Sequence, residues 1–228
     1  MDYMKDILVK EENYLPVNKT MIRKLGLNEA LFLTNLIYAE KGTTQPQQKF
    51  FQTVNTVQVH IGMKRRQQEN VIKTLIAKKL ITKHIEGYAD SARRYFTLNY
   101  SNILKFCTFT EDAILDKNGY LMQMILDGGG YWILSKTIIT KLNPVSALLL
   151  TILSEAELHF EQNKGGDIIE NVNSLELFSG MTRYYQSKAI KELSMWDFIT
   201  VNNKIIDGDK NRVMRLNYDA ILTLIKVI

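Results

Sequence analysis

Cysteine is nearly absent from these 228 residues: Cys107 stands alone, which excludes a disulfide framework and fits a reducing, cytoplasmic setting. Histidine is scarce as well. His60, His84 and His159 are the only ones, and none has a Cys or His neighbour at metal-ligand spacing. No paired nucleophile and base stands out, so the reading is of a protein that is not an enzyme and needs no cofactor. No apolar run approaches the ~20 residues that span a bilayer. The richest, residues 147–153, meets Glu155 and Glu157. The first residues, Met1, Asp2 and Tyr3, lack the basic-then-apolar order of a signal peptide. Membrane and metal partners are therefore not expected.

What is present is a chain fit for ordinary cores, 46% hydrophobic and 23% charged. Its net charge is +5, a mild hint of a polyanionic partner.

The main feature is self-similarity. An offset of 118 residues lays Gly62-Met63 on Gly180-Met181 and aligns residues 53–100 with 171–218 without a gap. Val54/Val172, Arg65/Arg183, Gln68/Gln186, Leu75/Leu193 and Arg94/Arg212 are identical, and Leu98-Asn99-Tyr100 falls on Leu216-Asn217-Tyr218. The earlier part aligns at 117, with Tyr14 on Tyr131, Lys24-Leu25 on Lys141-Leu142 and Ala30-Leu31 on Ala147-Leu148. The one-residue slip falls between Lys41 and Phe50. The period is far too long for a solenoid and suits a duplicated domain. The expected organisation is a first domain over residues 1–106, a polar linker over 107–118 and a second domain over 119–228.

Each copy opens with two short apolar runs about a turn. In the second copy these are residues 120–126 and 131–134, around Asp127-Gly128-Gly129-Gly130, a hairpin signal. A phosphate-cradling loop is the weaker reading, because no Gly-Lys-Ser/Thr follows. A helix is expected over residues 28–41, with Asn28 as N-cap and Ala30, Leu33, Leu36 and Ile37 on its core face; Pro144 takes the first turn in the second copy. Then come a strand at Phe50-Phe51, a helix from residues 53–55 to Gly62, a helix over 64–79, and strands over 81–86 and 95–99. Residues 87–93 form the polar tip between those strands, and Asp207-Gly208 reads as the matching turn in the second copy. The fold class is α+β. The element order is that of two tandem winged helix-turn-helix domains, each with an N-terminal β-hairpin.

In that architecture the second helix of the motif enters the major groove of DNA. Gln68, Val71, Ile72 and Leu75 share one face and turn inward. Arg65, Arg66, Gln67 and Asn70 then face outward as candidate base readers, with Lys64 and Lys73 placed for phosphates. Arg93 and Arg94 sit at the wing. The second copy offers Thr182, Arg183, Tyr184, Tyr185, Lys188 and Lys191 on its helix and Lys210 and Arg212 on its wing. Residues 64–94 hold nine basic and three acidic side chains, against six and four in 182–212, so the first copy is expected to be the stronger anchor. The tyrosines suit either stacking on nucleic acid or burial in a protein interface.

The run Lys24-Leu25-Gly26-Leu27-Asn28-Glu29-Ala30-Leu31-Phe32-Leu33, followed by Tyr38, resembles the opening helix of winged-helix proteins from phages and plasmids of low-GC Gram-positive bacteria. Replication initiators and replisome organisers are among them. The resemblance implies origin binding, a homodimer that exchanges with monomer, and no catalytic residues. The expected function is sequence-specific binding of double-stranded DNA in replication. A transcriptional repressor on an operator, and a protein-protein adaptor, are the alternatives. Replication or transcription proteins are the further partners these readings imply.

Overall fold

The structure, a computed structural model, describes residues 14–87, 93–107, 121, 130–159, 167–206 and 209–226. The chain is α+β and divides into two compact units. Among the described residues, one covers Leu15–Tyr131 and the other runs from Trp132 onward with Tyr14.

The first unit begins with strand β1 (Tyr14–Asn18), whose last residue caps helix α1 (Lys19–Leu25) by accepting from Met21 N at 2.9 Å. Gly26, at φ 99°, turns the chain into α2 (Leu27–Glu40). The N-cap is therefore Gly26, and Asn28, expected there, lies inside the first turn. Leu31, Phe32, Leu33, Leu36 and Ile37 are essentially inaccessible, so α2 is buried almost all round. A short strand β2 (Phe50–Phe51) leads to α3 (Val54–Ile61), α4 (Arg65–Ala77), β3 (Ile81–Glu86), β4 (Arg93–Leu98) and α5 (Tyr100–Cys107). The strands form an antiparallel sheet in the order β2-β4-β3, with Ile81 opposite Leu98 and Phe50 opposite Phe96. Ile81, Phe96 and Leu98 point into the core with Val71, Ile72 and Leu75 of α4.

The second unit repeats this order. Strand β5 (Tyr131–Ser135) is followed by α6 (Lys136–Lys141), α7 (Pro144–His159), β6 (Ile168–Glu170), α8 (Val172–Ser179), α9 (Arg183–Met195), β7 (Ile199–Ile206), β8 (Asp209–Leu216) and α10 (Tyr218–Lys226). Its sheet has the order β6-β8-β7, with Ile199 opposite Leu216 and Ile168 opposite Met214. Those pairs lie 118 residues beyond their counterparts in the first unit.

Helices α1, α5, α6 and α10 are additions to the sequence reading. The first and third are two turns long, too short to hold themselves, and are fixed by burial of Met21 and Ile22 or Ile138 and Ile139. The expected hairpin arm at residues 120–126, the turn at Asp127-Gly128-Gly129, the wing tip at 88–92 and Asp207-Gly208 lie outside the described residues, apart from Leu121. No helix among the described residues is long and apolar enough to cross a membrane.

Candidate nucleic-acid interface

The site is built on the turn between α3 and α4. Thr53 caps α3 by accepting from Thr56 N at 2.8 Å. Gly62 ends it in the left-handed region at φ 68°, where a side chain would be strained. The second unit repeats both devices: Asn171 accepts from Asn173 N at 2.8 Å, and Gly180 sits at φ 71°.

Helix α4 divides by face. Gln68, Val71, Ile72 and Leu75 are buried. Lys64, Arg65, Arg66, Gln67, Asn70 and Lys73 are exposed, with Arg65 at the edge of the helix beside the sheet and Arg66, Gln67, Asn70 and Lys73 on the side away from the core. Gln67 also serves the helix start, its Oε1 accepting from Lys64 N at 3.0 Å. That contact occupies the oxygen a two-bond grip on adenine would use.

A buried glutamine fixes the angle of the two helices. Gln68 Nε2 donates to the Val54 carbonyl at 2.9 Å and to the Met63 carbonyl at 2.7 Å. Its Oε1 accepts from Arg94 Nη2 at 2.8 Å. One side chain thus ties the start of α3, the turn, α4 and strand β4. The second unit holds the same knot. Gln186 Nε2 donates to Val172 O at 2.9 Å and Met181 O at 2.8 Å, and Arg212 Nη1 donates to Gln186 Oε1 at 3.1 Å. Sequence reading placed Gln68 inward but set Arg94 and Arg212 apart as wing cations. Arg94 is 9% exposed and Arg212 half-buried, and both turn toward the helix. The missed signal is the identity of a polar pair, Gln and Arg, at matched positions of the two copies.

Around Arg94 the first unit adds a carboxylate. Glu69 Oε2 accepts from Lys83 Nζ at 2.7 Å, and Glu69 Oε1 lies 3.5 Å from Arg94 Nη1. Burial acts to raise the Glu69 carboxyl, but Lys83 and Arg94 outweigh it and hold the group below the ordinary range. Burial pushes the Arg94 guanidinium down, Glu69 opposes this, and Arg65 adds to it. These groups line a cavity of about 240 Å³ with Phe51 and Thr53, between α4 and the sheet.

The remaining candidates are dispersed. Arg93 is exposed, its guanidinium 5.4 Å from the centre of the Phe51 ring. In the second unit Thr182, Arg183, Lys188 and Lys191 are exposed on α9. Tyr184 and Tyr185 are 70% and 47% exposed, in edge contact at 5.4 Å. They stand where the first unit has Arg66 and Gln67; on α8, Leu177 and Phe178 are also exposed. The second unit therefore carries two tyrosines in place of Arg66 and Gln67 and keeps Arg183, Lys188 and Lys191 exposed. The side chain of Lys210 lies outside the described residues.

Neither His60 nor His84 joins a cluster. His60 Nδ1 is 3.2 Å from Asn35 Oδ1, and His84 Nε2 is 3.4 Å from Thr82 Oγ1. Among the described residues no group of three His, Cys, Asp or Glu side chains could hold a metal ion. No protein-family model matches the chain, and no curated protein does either.

Proposed function

We propose that the chain is a non-enzymatic, cytoplasmic protein of two tandem winged helix-turn-helix domains that binds double-stranded DNA, with a role in replication initiation. The observation that carries this reading is the exposed side of α4: six polar or basic side chains at its start and along it, on a helix whose angle is set by a buried Gln–Arg tie. Arginine and asparagine among them suit base edges, and Lys64 and Lys73 suit phosphates. Arg93 on the sheet extends the positive surface. A protein contact is a second reading for the second unit alone, favoured by exposed Leu177, Phe178, Tyr184 and Tyr185. The same geometry also serves a regulator on an operator.

The test is titration against random duplex and against the flanking DNA at two salt concentrations. Arg65→Ala is expected to cost ~1–3 kcal/mol and to relax sequence preference. Lys73→Ala is expected to weaken all sequences alike and to lower the salt slope by about one. Absence of duplex binding at low salt removes the DNA reading. Protection near an origin supports initiation, and protection over a promoter supports regulation.

A further inference from the structure

The two copies share the glutamine knot but leave their arginines in different electrostatic states. In the first unit Arg94 is nine-tenths buried. It donates to Gln68 at 2.8 Å and, through Nε, to the Gln52 carbonyl at 3.3 Å, and Glu69 stands 3.5 Å away. At the matching positions of the second unit Ser187 replaces Glu69 and Val201 replaces Lys83. The carboxylate and its ammonium partner are gone together.

Arg212 keeps the contact to Gln186 at 3.1 Å and is only half-buried, so most of its donors stay uncommitted. Arg183 lies three residues before Gln186 on α9, hence on the same face and beside the same guanidinium. Among the described residues neither arginine has an ion-pair partner within 4 Å. Burial and the neighbouring Arg183 both push the Arg212 guanidinium down, as two adjacent like charges require. Glu170 is the cross-strand partner of Arg212 in register, yet it forms no ion pair with it, and burial pushes the Glu170 carboxyl up.

We infer that the surface where the start of α9 meets β8 is a phosphate site, in which Arg183 and Arg212 donate to one phosphate group and Gln186 holds Arg212 in place. The ligand class is a phosphate mono- or diester. The DNA backbone is the source if the duplex reading above, on which that assignment rests, holds; free phosphate is the source otherwise. In the first unit Glu69 already occupies the corresponding place. The charge surplus of the first copy therefore does not rank the two arginine sites.

The test exchanges the carboxylate. Ser187 is exposed, so Ser187→Glu adds the missing charge without crowding the core; Ser187→Gln controls for size, and thermal melting confirms that each variant is folded. Inorganic phosphate is titrated while the arginine Nε–Hε signals are followed by NMR. In parallel, duplex affinity is measured across a salt series. Phosphate should move the Arg212 signal in the parent and in Ser187→Gln. In Ser187→Glu its affinity should fall roughly tenfold or more, the scale of a charge-assisted contact. Glu170→Gln should tighten it, and Glu69→Ser should open a matching response at Arg94. For duplex, Ser187→Glu should lower the slope of log K against log salt by about one. An Arg212 signal indifferent to phosphate, or a Ser187→Glu protein that binds phosphate like the parent, overturns the site. A phosphate response with no duplex binding keeps the site and removes the DNA reading. Firm duplex binding whose salt slope ignores Ser187→Glu, with no phosphate response, does the reverse.

Discussion

Gln68 concentrates much of the first unit's specificity in one side chain. It is fully buried, and both its ends are used: two carbonyls accept from it and one guanidinium donates to it. Gln68→Ala would strand those partners, two of them in the motif's turn and helix start. A loss of about 3 kcal/mol is expected, read as a lower urea midpoint. Gln186→Ala should cost less, because half-buried Arg212 can turn to water. A second polar pair is also duplicated. Tyr100 donates to Glu40 at 2.5 Å in the first unit, and Tyr218 donates to Glu157 in the second. Glu40 is buried, and Gln47 N donates to its other oxygen at 3.0 Å. Burial raises the Glu40 carboxyl above its ordinary range, more than these hydrogen bonds lower it. An acid raised in the folded state supports folding below its unfolded pKa of about 4.3, and that support is lost as pH rises through the folded value. Glu40→Gln keeps an acceptor for Gln47 N and a partner for Tyr100. Its stability relative to the parent should therefore increase from pH 4 to pH 7, as read from urea midpoints at both. A constant difference would show that Glu40 does not titrate in this way.

At the scale of elements, turn chemistry sets where α4 starts and stops. Gly62 supplies the left-handed residue before it, and Lys79, at φ 57°, supplies one after it. Leu80 N then bonds back to Leu75 O at 2.9 Å. Asp197, at φ 56°, and Phe198 N to Leu193 O at 2.9 Å repeat this ending in the second unit. Gly62→Ala should cost about 1 kcal/mol, whereas Lys79→Gly should gain about 0.5–1 kcal/mol, since only the former adds a Cβ to a left-handed residue. Denaturant unfolding of both variants separates them by sign. Helices α3 and α4 and strands β2 and β3 were legible because each carries a local signal: Thr53 and Gly62 at the ends, the apolar spacing of Val71, Ile72 and Leu75, and the Phe50-Phe51 pair. Helices α1 and α5 were not. Their apolar residues, Met21, Ile22 and Leu25, or Tyr100 and Ile103, are too few for periodicity to stand out over so short a span, and contacts elsewhere in the unit hold them.

At the scale of the whole molecule the duplication is the organising fact, and the two copies differ by paired exchanges. Lys49 and Glu86 pair at 2.5 Å in the first unit; in the second, Asp167 and Lys204 pair at 3.2 Å with the charges reversed. Glu69 and Lys83 become Ser187 and Val201 together. Each knot closes within its own unit, so Gln68→Ala should speed amide exchange in α3 and α4 and leave α8 and α9 near parental rates, as measured by hydrogen exchange. Equal acceleration in both would mean that the two knots unfold as one. The sequence alone determined the duplication, the order of the central elements and the buried face of α4, because these follow from repeat identity, caps and helical period. Only tertiary structure decided what the arginines do. Arg94 and Arg212 are equivalent letters on equivalent strands. Burial depth, and the Glu69 carboxylate 3.5 Å from its guanidinium, make the first a neutralised brace; the second, shallower and with Ser187 at the matching position, keeps donors to offer.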